Sequence, residues 1–189
     1  MTTILYHGTN QVIREIDLDK SKLRTDFGKS FYLGSNLGIA REWAKSRAGF
    51  SGTPIVMRYK FDARAFDDKF LKVCKFESTT VEWLNFVRDN RSRNKSNANT
   101  PEPRHSYDIV SGAIANDKVN FVIADYMNEL ITADEAIRRV KAISSVVQVS
   151  FHTPLALSYL EAPPQYQQMH ENGKWAVWKS VKILDRLPL

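Results

Sequence analysis

The stretch at residues 27–44, FGKSFYLGSNLGIAREWA, changes from a strand-like pattern to a helical one. Its first part, residues 27–34, is rich in aromatic residues and has glycines near both ends, which predicts a strand or a strand-like turn. Ser35 or Asn36 can then cap a helix. Apolar and small residues follow at helical spacing, namely Ile39, Ala40, Trp43, Ala44 and Ala48. The sequence therefore places a strand directly before a helix.

The alternation of strands and helices continues along the rest of the chain. Further strands are predicted at residues 3–7, where Gly8 ends the strand, and at 55–61, 107–115 and 146–151. Further helices are predicted from Thr79 or Thr80 onward, at 119–130, at 133–143 after the capping-box sequence TADE that starts at Thr132, and at 155–160 after Pro154. The elements lack the regular βαβ rhythm of a doubly wound parallel sheet, so the predicted class is α+β.

Length and composition indicate one compact domain of ordinary globular type. The chain has 189 residues, of which 43% are hydrophobic and 25% are charged. No apolar run approaches the ~18 residues of a membrane span, and the N-terminus lacks a secretory pattern. A single cysteine, Cys74, excludes an intramolecular disulfide and a cysteine-cluster zinc site. We therefore expect a cytoplasmic protein without a membrane-spanning segment.

The basic residues suggest a partner class without identifying one. The net charge of +6 permits a polyanionic partner, although charge of this size commonly serves solubility. Residues 90–104, NRSRNKSNANTPEPR, are predicted to form one long loop. Basic residues in or beside it could follow a phosphate backbone, and these are Arg88, Arg91, Arg93, Lys95 and Arg104. A solvated loop is the alternative interpretation.

Several common catalytic and nucleotide-binding motifs are absent from the sequence. It contains no GxxxxGK[ST], GxGxxG, HExxH or GxSxG. The four histidines are not paired at ligand spacing, so we expect no protein-built metal site.

Four short segments contain residues that suit a ligand site, and each residue also has a purely structural interpretation. His7 precedes Gly8, where a ligand can approach the backbone closely, but it also suits the edge of a core. Tyr32 lies among aromatic and small residues, where it can simply pack. Asp117 ends the segment at 107–117 and suits a helix N-cap. Gln148 lies in an otherwise apolar strand, where a buried amide needs hydrogen-bond partners.

The order of these segments carries a family resemblance. YHGT (6–9) comes first, then FGKSFYL (27–33) before a helix with Trp43 and Ala44, then YDIVSGAIAND (107–117), and finally QVSFHT (148–153) before Ala156 and Leu157. In this order they resemble a bacterial family, domain of unknown function 3990, within the ADP-ribosyltransferase superfamily. More distantly, they are similar to its diphtheria-toxin and poly-ADP-ribose polymerase branch. The resemblance implies an ADP-ribosyltransferase-like domain at 1–160, and we expect the apolar segment at 161–189 to dock on the same domain.

The resemblance implies a split antiparallel β-sheet, clamped by helices, that binds NAD in a cleft. In that branch a histidine, a tyrosine and a third polar residue, usually glutamate, occupy three strands, and His7, Tyr32 and Gln148 match them. His7 would bind the adenosine ribose, Tyr32 would stack on the nicotinamide, and Gln148 would bind the 2′-hydroxyl of the nicotinamide ribose. The NAD-binding residues implied in this way are His7, Gly8, Thr9, Lys29, Phe31, Tyr32 and Gln148.

The expected chemistry explains why residue 148 matters. Nicotinamide leaves NAD as a neutral group through an oxocarbenium-like transition state, so the protein mainly positions the ribose and stabilises positive charge. Glutamine offers a dipole and a hydrogen bond where glutamate would offer a negative charge. A separate acid would then activate the acceptor. Asp117 is our catalytic candidate for that acid alongside Asp108, with Asp26 after them.

We therefore expect a mono-ADP-ribosyltransferase that uses NAD as co-substrate and acts as the toxin of a toxin–antitoxin or phage-defence pair, with an antitoxin protein as a further partner. The acceptor is left open between protein, RNA, DNA and a small molecule. One alternative is a nucleic-acid-directed form that uses the basic residues of the loop. Another is an NAD- or ADP-ribose-binding module without transferase activity, and a third is a basic adaptor whose resemblance is accidental.

Overall fold

The computed structural model describes residues 1–91, 105–114, 117–141 and 146–182, and for residues 117 and 118 the backbone alone. In these ranges the chain forms eight strands and five α-helices, which confirms the α+β class. The strands are β1 (Thr2–Thr9), β2 (Phe31–Gly34), β3 (Ile55–Asp62), β4 (Val73–Lys75), β5 (Ile109–Ala113), β6 (Val147–Phe151), β7 (Leu160–Gln168) and β8 (Lys179–Ser180). The helices are α1 (Leu37–Ala48), α2 (Val81–Arg91), α3 (Asp117–Met127), α4 (Ala133–Lys141) and α5 (Pro154–Leu157). None of these helices is long and apolar enough to cross a bilayer.

The chain divides into two compact units. The first contains Met1–Ile16, Leu33–Ala65 and Ser158–Leu189, and the second contains Asp17–Tyr32 and Phe66–Leu157. Strand β2 crosses the boundary, because its first two residues belong to the second unit and its last two to the first.

The first unit is an antiparallel sheet with helix α1 on one face. Strand β1 pairs with β3 along its whole length and with β2 at Tyr6 and Gly34, while β7 pairs with β3 and β8 pairs with β7. Helix α1 packs on β1 through small residues, since Ala40, Ala44 and Ala48 are its buried side chains. The half-buried Trp175 and Trp178 pack against the same cluster, so the tail up to residue 182 contributes to this unit.

Gly8 lies inside β1 and does not end it, contrary to the sequence expectation. A Cβ atom at Gly8 would lie 2.2 Å from the carbonyl oxygen of Ala40 and 2.7 Å from the backbone nitrogen of Ala44. The glycine is therefore required by the close approach of α1 to the strand.

The second unit combines three strands with helices α2, α3 and α4. Strand β5 pairs in parallel with β4 and antiparallel with β6. The buried core lies among these helices and includes Phe27, Trp83, Leu84, Val87, Val110, Val119, Val122, Ile123, Ala136 and Val140. Phe27 enters this core from the loop before β2, and it is completely buried.

Where the sequence offered two candidates for a helix cap, the structure has Asn36 and Thr80, and it has Thr132 as predicted. Asp117 is the first residue of α3 and not its cap, and several strand and helix ends also differ from the prediction. The side chains of Asn36, Thr80 and Thr132 accept hydrogen bonds from the backbone N–H groups of Ile39, Trp83 and Glu135. Strand β2 is shorter than predicted, and Leu160 starts β7 instead of ending a helix. Trp43, which lies at helical spacing with the buried Ala40 and Ala44, is itself 44% exposed. Most of the predicted long loop, residues 92–104, lies outside the described residues.

Candidate functional site

The predicted site residues fall into both units. His7, Gly8 and Thr9 belong to the first unit, whereas Lys29, Phe31, Tyr32 and Gln148 belong to the second. In β1, His7 lies opposite Met57 and Thr9 lies opposite Ile55. Because strand side chains alternate and the Gly8 position faces α1, His7 and Thr9 lie on the other face of the sheet. Thr9 is buried and His7 is half-buried there.

The Tyr32 hydroxyl closes the turn that precedes β2. It accepts a hydrogen bond from the backbone N–H of Phe27 (2.8 Å), donates to the carbonyl of Gly28 (2.8 Å) and lies 2.9 Å from the hydroxyl of Thr25. Its ring stacks on Phe27 with centroids 6.2 Å apart. Burial, and then the neighbouring Asp26 carboxylate, raise the pKa of Tyr32, so the phenol stays protonated at physiological pH.

Gln148 is hydrogen-bonded to Asp26, the last of the three candidate acids that we named from the sequence. The side chain of Gln148 is buried, and its Nε2 donates to Asp26 Oδ2 at 2.7 Å. The other carboxylate oxygen, Asp26 Oδ1, accepts a hydrogen bond from Arg91 Nε at 3.0 Å. Within the described part of the chain, Gln148 Oε1 has no hydrogen-bond partner. The amide is therefore fixed at its donor end and open at its acceptor end.

Two histidines hold the loop in which Asp26 lies. His105 Nε2 donates to the carbonyl of Phe27 at 2.8 Å, and its Nδ1 accepts from the backbone N–H of Tyr107, so the ring is the neutral Nε2–H tautomer. His152 Nδ1 lies 3.2 Å from the carbonyl of Lys29, and its Nε2 lies 2.9 Å from the hydroxyl of Ser150. Burial, and then His105, lower the pKa of His152 to about 3. Both rings therefore hold the loop, and the His152 ring is neutral at physiological pH.

The other two candidate acids do not contact Gln148 in the described residues. Asp108 accepts from the backbone N–H of Lys72 at 2.7 Å and from the Thr153 hydroxyl at 2.8 Å, which ties the start of β5 to the end of β6. Asp117 begins α3, and its side chain lies outside the described residues. The nearest carboxylate to the amide in the described part of the chain is thus Asp26, which the sequence expectation had placed third.

The remaining candidates have structural roles in the described residues. Lys29 forms an ion pair with Asp19 at 3.2 Å, and the Phe31 side chain is buried. Arg88 pairs with Asp89, and Arg91 pairs with Asp26. The other three basic residues of the loop hypothesis, Arg93, Lys95 and Arg104, lie outside the described residues. Arg91 therefore belongs to the buried network around Gln148 in this structure.

Sequence reasoning identified Tyr32 and Gln148 but missed Arg91, His105 and His152 as parts of one network. His152 lies in the quoted segment QVSFHT, so this segment was the only local signal for it. His105 reaches a carbonyl 78 residues away in the chain, and Arg91 reaches a carboxylate 65 residues away. No local periodicity reports such contacts.

A family model described as "Protein of unknown function (DUF3990)" matches residues 3–162. The matched range contains every residue of the network around Gln148, and also His7, Gly8 and Thr9. Comparison with curated proteins finds no significant match. Comparison with solved structures also finds none.

Proposed function

The chain belongs to the family described as protein of unknown function DUF3990, and we propose that it is a mono-ADP-ribosyltransferase. In this proposal the protein cleaves the nicotinamide–ribose bond of NAD and transfers ADP-ribose to a macromolecular acceptor. The finer fold proposed with it is the split antiparallel sheet of that superfamily. The observation that carries the proposal is the orientation of the Gln148 side chain.

The support from Gln148 is that its amide has a defined and useful direction. A carboxylate can only accept hydrogen bonds, so the end of the amide that faces Asp26 must be the NH₂ group. Oε1 is then the end left for a ligand. A carbonyl oxygen at this point accepts a hydrogen bond from a ribose hydroxyl, which is the role that the family resemblance implies for residue 148.

The proposed reaction is a substitution at the anomeric carbon of the nicotinamide ribose. The bond between that carbon and the pyridinium nitrogen breaks, and nicotinamide leaves with the electron pair. An acceptor oxygen or nitrogen forms the new bond and releases one proton. The negative end of the Gln148 dipole stabilises the positive charge that develops on the ribose. His7 would orient the adenosine ribose, and Tyr32 would contribute a cation–π contact of about 1–2 kcal/mol to the nicotinamide ring.

The experiment compares the wild type with Gln148→Met, which keeps the side-chain length and removes the amide. We expect the wild type to release nicotinamide and to label material in a cell lysate from labelled NAD. We expect the variant to lose roughly 100-fold or more of the release rate, because an aligned dipole is removed from the transition state. Asn128→Met, at an exposed amide, is the matched control and should keep the wild-type rate. Protease and nuclease digestion of the label then identifies the acceptor class.

Two results would contradict the proposal. If NAD raises the melting temperature of the wild type but no nicotinamide is released and nothing is labelled, the protein is an NAD-binding module. If NAD has no effect at all, the adaptor interpretation is favoured. The proposed toxin role predicts, from the same pair of proteins, that expression in a bacterial host arrests growth for the wild type and not for Gln148→Met. The antitoxin would be the protein that relieves this arrest.

A further inference from the structure

We propose that Asp26 is a positioning residue that determines which end of the Gln148 amide faces the substrate. The inference rests on the proposed transferase function and deepens it. It assigns to Asp26 a role that acts through Gln148, and to Arg91 the role of balancing the Asp26 charge.

The geometry around Asp26 supports this assignment. Its two carboxylate oxygens are used by different partners, since Oδ2 accepts from Gln148 Nε2 at 2.7 Å and Oδ1 accepts from Arg91 Nε at 3.0 Å. The terminal torsion of a glutamine side chain is broad and nearly two-fold, so an unpartnered amide rotates easily. With Asp26 in place only one of the two orientations makes a hydrogen bond, and the other would bring two acceptor oxygens together.

The negative charge of Asp26 also acts on the far end of the amide. A hydrogen bond from an amide to an ionised carboxylate is about twice as strong as a neutral one. Hydrogen-bonded groups in series polarise one another, so the Gln148 carbonyl oxygen becomes more negative when Nε2 donates to Asp26. Asp26 and Gln148 together thus supply part of the electrostatic effect of a glutamate at position 148, with the formal charge one side chain further from the substrate.

The backbone on both sides holds the Asp26 carboxylate in place. Phe27 is fully buried in the core, and its N–H and carbonyl are bonded to Tyr32 and His105. On the other side, the hydroxyl of Thr25 donates to the carbonyl of Gly28 at 2.6 Å. The carboxylate is therefore preorganised before any ligand binds, as a positioning residue requires.

The experiment uses Asp26→Asn, Gln148→Glu and the double variant that combines them. In Asp26→Asn the charge is lost and the new amide can turn either way, so we expect nicotinamide release to fall about 10- to 100-fold. In Gln148→Glu two carboxylates face each other beside one cation, Arg91, which already pairs with Asp26 Oδ1. The second negative charge has no cation of its own in the described residues, so we expect the two carboxylates to share a proton and the folded protein to bind more protons than the unfolded chain. Its stability should therefore fall as the pH rises through about 5 to 8, unlike that of the wild type.

The double variant reverses the direction of the hydrogen bond and restores it. The asparagine at position 26 can donate to the glutamate at 148 and accept from Arg91. We expect its melting temperature to depend on pH as that of the wild type does, and its nicotinamide release to recover at least to the wild-type rate. Asp125→Asn, which removes a half-exposed carboxylate 3.6 Å from Arg139, is the matched control and should leave the release rate unchanged.

The outcomes separate this inference from the transferase proposal. The pH dependence of stability and its rescue are measured without NAD, so they test the Asp26–Gln148 pair itself. No release of nicotinamide by the wild type would overturn the transferase proposal. If the wild type is active and Asp26→Asn releases nicotinamide at the same rate with the same dependence on pH, the positioning role is overturned and the transferase proposal stays intact. Failure of the double variant to rescue Gln148→Glu would overturn the pairing.

Discussion

At the scale of single residues, Tyr32 has a structural task for its hydroxyl that is independent of any ligand. The hydroxyl contacts Thr25, Phe27 and Gly28 and closes the turn before β2. The proposed contact with nicotinamide uses the ring and not the hydroxyl. Stability and activity therefore depend on different parts of the same side chain, and one substitution can separate them.

We expect Tyr32→Phe to lower the free energy of unfolding by about 1–3 kcal/mol, because the N–H of Phe27 and the carbonyl of Gly28 lose a buried partner. The ring is retained and His105 still bonds the carbonyl of Phe27, so nicotinamide release per folded molecule should fall far less than the roughly 100-fold expected for Gln148→Met. Urea unfolding and a single-turnover assay measure the two quantities. Tyr107→Phe, at a residue 36% exposed, is the control and should change neither. A stable Tyr32→Phe protein without activity would show that the hydroxyl itself serves the reaction.

Two members of the hydrogen-bond network around Gln148, namely Gln148 itself and Tyr32, were singled out from sequence, but their connections were not predicted. Gln148 stood out because an amide interrupts an apolar strand, and Tyr32 because it lies between glycines. The link from Gln148 to Asp26 spans 122 residues, and the link from Arg91 to Asp26 spans 65. Such contacts depend on the tertiary fold. The sequence analysis therefore placed Asp26 after Asp108 and Asp117, which do not contact the Gln148 amide in the described residues.

At the scale of elements, helix α1 lies so close to β1 at Gly8 that there is no room for a side chain. A side chain there would meet backbone atoms of Ala40 and Ala44, which cannot rotate away. The stability of the sheet–helix pair therefore depends on the absence of one Cβ atom.

We expect Gly8→Ala to destabilise the first unit by about 1–3 kcal/mol or more, because α1 must move away from β1. Gly38→Ala is the matched control, since its Cβ would meet only the side-chain oxygen of the cap Asn36, at 3.1 Å, and no backbone atom. The helix propensity gained from alanine, about 1 kcal/mol or less, and the small shift of the cap oppose each other, so the net change should be well below that of Gly8→Ala. Thermal unfolding of both proteins tests the difference, and equal stabilities would show that α1 does not constrain Gly8.

The elements that sequence predicted best are those with local signals. The cap at Thr132 was predicted, and those at Asn36 and Thr80 were each predicted to within one residue, because each cap bonds a backbone group only three residues away. Strand β7 was missed because its sequence, LEAPPQYQQ, contains two prolines and no alternation of apolar residues. Its strand form depends on pairing with β3, where the register shifts between Arg58 and Lys60.

At the scale of the whole molecule, the half-buried His152 makes stability depend on pH. Burial and His105 hold the pKa of His152 at about 3 in the folded protein, against an ordinary value of about 6.5 in the unfolded chain. Between these values the unfolded chain binds a proton that the folded protein does not. The contribution of His152 to the free energy of unfolding is therefore fully present above about pH 6.5. It is lost as the pH falls toward 3, by at most about 1.4 kcal/mol per pH unit.

We expect His152→Asn to flatten this dependence, because the asparagine can donate to the carbonyl of Lys29 without titrating. The measurement is the free energy of unfolding across about pH 4 to 7, where carboxylates contribute equally to both proteins. His170→Asn, at an exposed histidine, is the control and should follow the wild type. Parallel curves for the wild type and His152→Asn would mean that His152 titrates normally when folded.

The discontinuous first unit has a consequence for protein synthesis. All of the second unit has been translated once the ribosome reaches Leu157, whereas the first unit still lacks its last stretch, which starts at Ser158. Until β7 leaves the ribosome, one edge of β3 has no strand partner, although β1 and α1 have already been translated. A stalled or prematurely terminated chain would therefore carry His7 on an unfinished sheet. Translation of the stretch that starts at Ser158 thus decides whether the nascent protein can complete its first unit.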